Sequence, residues 1–395
     1  MASNKPQSAE IFRNMLTESE SMVQAVHDRA DDRGWFTVSQ MSRLLQIYAY
    51  ALRAKRMLGR TGAQSREAKR HRLQFFEDVW REAAGELGAT VEVLSKGILE
   101  ISRGGVKTRV HQNYTPLDGP DTVRISRAKP IVRTMLRSHG LPTPNDAEFS
   151  LNELKKAYGF LAQHRLCVVK PACGTGSGVG ITTGLETPRQ LFKAALRAAG
   201  YGPRLLIEEQ IEGDTIRLLY LDGQLLDAVK RSPPTVVGDG KSRVSQLVES
   251  LNQRRLSAGY KLAQAILKYD MDMERSLARQ DLSWRSVPAD GQRIVLKGVI
   301  NDNMADENVS VAHQVCESII AAGRLAAELI GARLVGIDII TPDVRQGLEE
   351  AGGKILELNT TPGYHYHYFT QNGTCRVAVP ILKTCLDHAS WHLLA

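Results

Sequence analysis

The spacing of apolar positions changes several times along the chain, and each change marks an element. From Ser8 to about Leu58 the period is helical: Leu44, Leu45, Tyr48 and Leu52 recur every three to four residues, and Arg43, Arg53, Lys55 and Arg56 fall off that stripe. This predicts a helical region over 1–60 that packs on its own core or on a second subunit, so a homodimer is an open expectation. A polar break, Gly59 to Arg70, follows. The pattern then predicts a helix over 75–87, short strands at Thr90–Val93, Ile98–Ile101 and Thr108–Val110, and a loop Tyr114–Pro120, an alternation expected of an α/β layer. A further helix is expected from Pro130 to Ser138, ended by Gly140, Pro142 and Pro144.

Downstream the expectation is a strand at 166–170, a Gly-rich loop at 174–180, a helix at 187–199 and a strand at 204–208. Ile216–Leu221 and Gln224–Lys230 are two β-type runs joined by Asp222-Gly223, a strong hairpin signal. Ala312–Ile330 reads as a helix, and Leu334–Ile340 and Lys354–Leu358 as antiparallel strands joined by the polar loop 341–353. There is neither an internal repeat nor a low-complexity tract.

Composition narrows the class. With 43% hydrophobic and 24% charged residues over 395 positions, the chain can bury a core shared among two or three domains. The net charge of +8 is spread over 51 basic and 43 acidic side chains, which suits small anionic ligands; without a finger, a helix-turn-helix or a basic stripe interleaved with aromatics, nucleic acid is not expected as a partner. The five cysteines never form a Cys-x-x-Cys pair, so neither a disulfide framework nor a thiolate zinc site is indicated. No secretory signal heads the sequence and no run of about 18 apolar residues occurs, so the expectation is a cytoplasmic protein without a membrane partner.

Four constellations carry chemistry. Lys170 ends an apolar strand and is followed by Gly174-Thr175-Gly176-Ser177-Gly178-Val179-Gly180, where alternating glycines let successive amides line up on phosphate oxygens. The loop is neither a P-loop nor a dinucleotide fingerprint, because Val179 breaks the second and Thr235 occupies the first glycine position ahead of Gly240-Lys-Ser. Next, the strand Leu205–Glu208 passes into Glu209-Gln210-Ile211 and Asp214, which can offer backbone groups to a base and a carboxylate to a ribose.

The third is the most telling. Asp338 interrupts an apolar strand, and Glu357 and Asn359, two apart, share one strand face. Pairing Ile340 with Lys354 sets Asp338 opposite Leu356, one residue from Glu357. Two carboxylates and an amide oxygen at one spot suit Mg2+ bridging nucleotide phosphates. Arg217, Lys230 and Arg231 on the hairpin and Lys297 further on could clamp a transferring phosphoryl group. His365 and His367 lack a third ligand at metal spacing, so pocket lining or aromatic packing is expected of them.

These motifs in this order resemble the ATP-grasp superfamily over roughly residues 125–385, and in detail the ATP-grasp module of cyanophycin synthetase and its glutathione-synthase-like relatives. The resemblance rests on Lys129 ahead of Leu-Pro-Thr-Pro, Val-Val-Lys170-Pro, Arg231-Ser-Pro-Pro with Gly238-Asp-Gly240, Gly336-Ile-Asp338, Leu356-Glu-Leu-Asn359 and Pro362-Gly363. It implies an α+β fold of two lobes holding ATP: a small lobe at 129–212 and a large lobe at 213–395, after a pre-ATP-grasp α/β domain at 61–128. It implies Lys129, Lys170 and Gly174–Gly180 on the ATP phosphates, Glu208, Glu209, Gln210 and Ile211 as the adenine hinge, and Asp214 on the ribose. Asp338, Glu357 and Asn359 would be Mg2+ ligands, with Mn2+ able to substitute, and Arg231, Lys297 and Arg217 catalytic cations. The implied activity is an ADP-forming carboxylate–amine ligase acting on a small-molecule acid and amine, such as an amino acid or peptide. A small-molecule kinase on the same ATP site, and a non-catalytic ATP-binding module, are the alternatives. Departures are the Asn301–Asp306 segment, which lacks the relatives' glycines, and His365, which stands where they carry an arginine.

Overall fold

The structure is a computed structural model and describes residues 63–173, 180–259, 266–300 and 307–388. The helix expected before Leu58, the Gly174–Val179 part of the glycine loop and the Asn301–Asp306 segment lie outside the described residues.

Helix α1 (Ala63–Glu86) opens the described chain and is followed by an antiparallel three-stranded meander, β1 (Thr90–Ser95), β2 (Ile98–Arg103) and β3 (Val106–His111). The helix thus begins before Phe75, and the strands pair with their sequence neighbours. Two short helices come next, α2 (Pro120–Ser126) and α3 (Lys129–Ser138), each with a proline in its first turn, where a missing N–H costs nothing.

A four-stranded sheet in the order β4-β7-β5-β6 is formed by β4 (Asp146–Phe149), β5 (Cys167–Pro171), β6 (Thr182–Leu185) and β7 (Leu205–Glu209). Helices α4 (Leu154–Leu161) and α5 (Pro188–Ala199) cover it, burying Phe149, Leu161, Val169, Leu191, Phe192 and Ile207 in one core. Threonine and glutamine at the start of α5 satisfy its first amides reciprocally, with Gln190 N donating to Thr187 Oγ1 at 3.3 Å.

The larger sheet has five antiparallel strands, β12-β9-β8-β13-β14: β8 (Asp214–Leu221), β9 (Gln224–Arg231), β12 (Asn308–Ser310), β13 (Leu334–Thr341) and β14 (Lys354–Asn359). The β8–β9 turn is the expected Asp222-Gly223 pair, both at positive φ (48° and 76°), the backbone that matches strand twist in a tight hairpin. Strand β8 is central, and its side chains go alternately to two cores. Leu218 and Tyr220 join helix α8 (Glu317–Leu329) and α3 on one face, while Leu219 and Leu221 join α1 and helix α10 (Ala378–Asp387) on the other. Residues 63–111 therefore share a core with the C-terminal helix and with the turn α9 (His365–Tyr368).

Between β9 and β12 the chain inserts a unit with its own small core, built from β10 (Thr235–Val237), β11 (Arg293–Val295), α6 (Val244–Ser257) and α7 (Met271–Ala278). It reaches back to the four-stranded sheet: buried Asp272 accepts from Thr183 Oγ1 at 2.7 Å and from the amides of Gly298 and Val299 at 2.8 Å. None of the helices among the described residues is long and apolar enough to cross a membrane.

Candidate active site

The five-stranded sheet sets a row of charge across three neighbouring strands. Arg217 on β8 pairs in register with Asp338 on β13, and Asp338 with Glu357 on β14. The sequence reading had put Leu356 opposite Asp338. A register shift between Asp338 and Ile339 leaves Leu356 unpaired, so Glu357 moves to the directly opposed position. Like charges directly opposed are unfavourable, and the structure answers with cations. Arg217 donates to both Asp338 oxygens, Nε at 2.6 Å and Nη2 at 2.8 Å, with Arg231 Nη1 3.7 Å from the same carboxylate. Gly336 makes room for this fork: a Cβ there would lie 2.8 Å from Arg217 Nη1. The two guanidinium groups also lie over the Tyr366 ring, Arg231 Cζ at 4.0 Å and Arg217 Cζ at 5.6 Å from its centroid.

Glu357 is met more loosely, by Lys129 Nζ at 3.4 Å. Lys129 is the first residue of α3, and two contacts hold that helix start in place. Ser126 hydrogen-bonds Thr360 just past β14 at 2.9 Å, and Ala128 forms a β-bridge with Cys173, the last described residue before the glycine loop. Asn359 Nδ2 donates to Asp338 Oδ2 at 3.3 Å, which leaves the lone pairs of its amide oxygen to face a cation. Among the described residues no three His, Cys, Asp or Glu side chains are grouped to hold a metal. The oxygen donors here are Glu357, Asn359 and, through displacement of an Arg217 or Asn359 bond, Asp338. That set fits Mg2+, which takes one or two carboxylates and completes its shell with phosphate and water.

The second cluster belongs to the four-stranded sheet. Lys170 on β5 donates to Glu208 on β7 at 2.7 Å, and Arg133 from α3 bonds the other Glu208 oxygen and lies 3.3 Å from Asp146. Burial, aided by Arg133 and Lys129 and opposed by Glu208, pushes the Lys170 ammonium down to about 8. Glu208, against the same burial, is held below the usual carboxylate range by Lys170 and Arg133.

The remaining expected site residues have other partners. Glu209 accepts from Asn145 N at 2.9 Å and Nδ2 at 3.1 Å, while the Gln210 side chain accepts from Gly184 N at 2.6 Å. Asp214 opens β8 beside Lys230 Nζ at 2.5 Å, and buried Lys297 donates to Asp270 at 2.8 Å. Ile211 follows β7 in the linker to β8. Arg133 was missed by the sequence reading although a signal was there: Lys129, Val132, Arg133 and Leu136 lie at helical spacing on the buried face of α3, and two of the four are cations. His367 is buried and donates from Nδ1 to Asp227 at 2.8 Å, and His365 packs edge-on to Phe75, so both histidines line or brace this region.

No protein-family model matches the chain. It is 24% identical to the cyanophycin synthetase of Trichormus variabilis over 321 residues, which is 77% of this chain and 35% of that protein. It is 28% identical to the glutathione biosynthesis bifunctional protein GshAB of Listeria innocua, over 80% of this chain and 42% of that one. The chain thus spans well under half the length of these relatives. Among solved structures, the bifunctional glutathione synthetase of Pasteurella multocida superposes with a TM-score of 0.50 at 23% identity, covering 78% of this chain and 44% of that one. Two antiparallel sheets that superpose on this structure give the chain the ATP-grasp fold.

Proposed function

We propose that the chain is an ATP- and Mg2+-dependent ligase that joins a carboxylate to an amine. The observation that carries this reading is the Arg217–Asp338–Glu357 row, with Arg231 and Lys129 at its ends: fixed positive charge beside two carboxylates poised to share a cation. The names of the sequence relatives point the same way.

In this reading a substrate carboxylate oxygen attacks the γ-phosphorus of ATP, the bond to the β,γ-bridging oxygen breaks, and ADP leaves with an acyl phosphate formed. The amine nitrogen then attacks the acyl carbon, the carbon–oxygen bond to phosphate breaks, and the amine gives up a proton. Lys129 and Lys170 hold phosphate oxygens, and Arg231 and Arg217 sit where negative charge builds on the transferring group. Glu357 and Asn359, with Asp338, would hold Mg2+, whose charge offsets that of the phosphates. No protein nucleophile is needed. The strand row supplies position.

The test is transfer of oxygen isotope from labelled carboxylate to inorganic phosphate while ADP is released in an amine-dependent manner, screened over amino acids and short peptides. Label in phosphate supports the ligase. Phosphate retained on an organic hydroxyl would instead make the protein a kinase.

A further inference from the structure

Helix α1 carries a charge where its pattern calls for an apolar residue. Its core stripe runs Arg72, Phe75, Phe76, Val79 at i, i+3, i+4, i+7, and the last three are buried. Arg72 is half-buried, its Cζ lies 5.8 Å from the Phe76 ring centroid, and its Nε is buried without a hydrogen-bond partner among the described residues. The stripe packs against α9: Phe75 lies edge-on to His365 and Tyr368, with ring centroids 6.4 Å and 5.7 Å away. His365 Nδ1 is likewise buried and without a partner among the described residues.

Two unmet buried nitrogens, on elements packed together, each call for an acceptor. The charged groups that act most strongly on His365 are basic: Arg72, Arg231, Arg217 and His367. Burial first, and these cations next, keep the His365 imidazole neutral, so it can donate one hydrogen bond without adding a charge. Asp338 is already bonded by Arg217, and Asp227 by His367. What this corner lacks is an anion with two oxygens, and a guanidinium beside a ring N–H suits a carboxylate.

We propose that Arg72 and His365 recognise a second, unreacting carboxylate of the acid substrate, which is thus a dicarboxylic acid activated at the Arg231 end and anchored at the α1 end. The inference rests on the ligase reading for the first carboxylate, but its test is binding and not turnover. The full chain with Mg2+ and a non-hydrolysable ATP analogue is titrated with glutarate and succinate, and with valerate and butyrate as single-acid controls of matched length, following the thermal midpoint. The dicarboxylates should raise the midpoint well beyond the monocarboxylates. Arg72→Met should erase that difference, weakening glutarate by about tenfold or more. Arg72→Lys, which keeps the charge and the stem over Phe76, should fold as the parent does and keep part of the preference. It decides the matter if the methionine variant does not fold: unchanged glutarate affinity in it, like retained preference in Arg72→Met or equal response to both acid classes in the parent, overturns the proposal. Failure of isotope transfer with the dicarboxylate preference intact would overturn only the ligase reading.

Discussion

The two charge clusters are made of the same residue types and close in different ways. On the four-stranded sheet, Glu208 is 6% exposed and has a short bond to a cation on each oxygen, so every charge has its partner within the fold. On the five-stranded sheet, Glu357 is 21% exposed, stands opposite another carboxylate and has a lysine at 3.4 Å. Buried ion pairs of the first kind fix geometry and are costly to break. A pair of opposed carboxylates of the second kind gains from an added cation. The first cluster is thus a frame for Lys170, and the second is the place where a metal and phosphates would complete the charge balance.

The frame breaks most severely at Glu208. Glu208→Ala leaves Lys170 and Arg133 buried beside each other, and should lower unfolding free energy by about 3–5 kcal/mol in denaturant titration. A loss under about 1 kcal/mol would mean that both cations reach water, and the contrast between the clusters would fall. Glu357→Gln should do the reverse. It removes one of two opposed charges, so stability should stay within about 1 kcal/mol of the parent. ADP release, however, should fall by about a hundred- to a thousandfold, as when one electrostatic contact to a transition state is removed. Near-normal turnover in that variant would sink the role given to Glu357.

Sequence and structure part company where pairing is non-local. The Asp222-Gly223 hairpin was legible because four residues decide it, and the β13–β14 pairing because the two apolar runs are consecutive and separated only by a polar loop. The register was legible only up to Ile339. The extra residue at Leu356 puts Ile355 and Leu358, three apart, in the same core, which a strict two-residue alternation does not foresee, so Glu357 was not expected to face Asp338 directly. Lys170 was recognised from its place at a strand end, but not its bond to Glu208, because β5 and β7 are joined through a crossover of more than thirty residues. Arg133 and Arg72 share one lesson. Each is an arginine on the apolar stripe of a helix, a sign that can be read from spacing alone and that a search limited to glycine loops and carboxylates passes over.

The smallest effect sharpens the comparison most. The Arg217 guanidinium, held by Asp338 above its ordinary value, stays charged at any working pH, whereas the Lys170 ammonium, pushed down to about 8 by burial and neighbouring cations, is half deprotonated there in the free protein. An arriving triphosphate favours the charged form and raises that value, so binding takes up a proton near pH 8 and takes up none near pH 6, where Lys170 is already charged. Calorimetric titration of Mg-ATP at pH 8, in buffers of different ionisation enthalpy, should give uptake of about half a proton, absent in Lys170→Met. The sign is fixed by linkage: affinity should decline as pH rises above about 8, because the free protein must then be protonated before its phosphate site is complete. Uptake that persists in Lys170→Met would move the titrating group out of the four-stranded sheet. The two clusters would then no longer divide the work between a titrating lysine frame and a permanently charged arginine row.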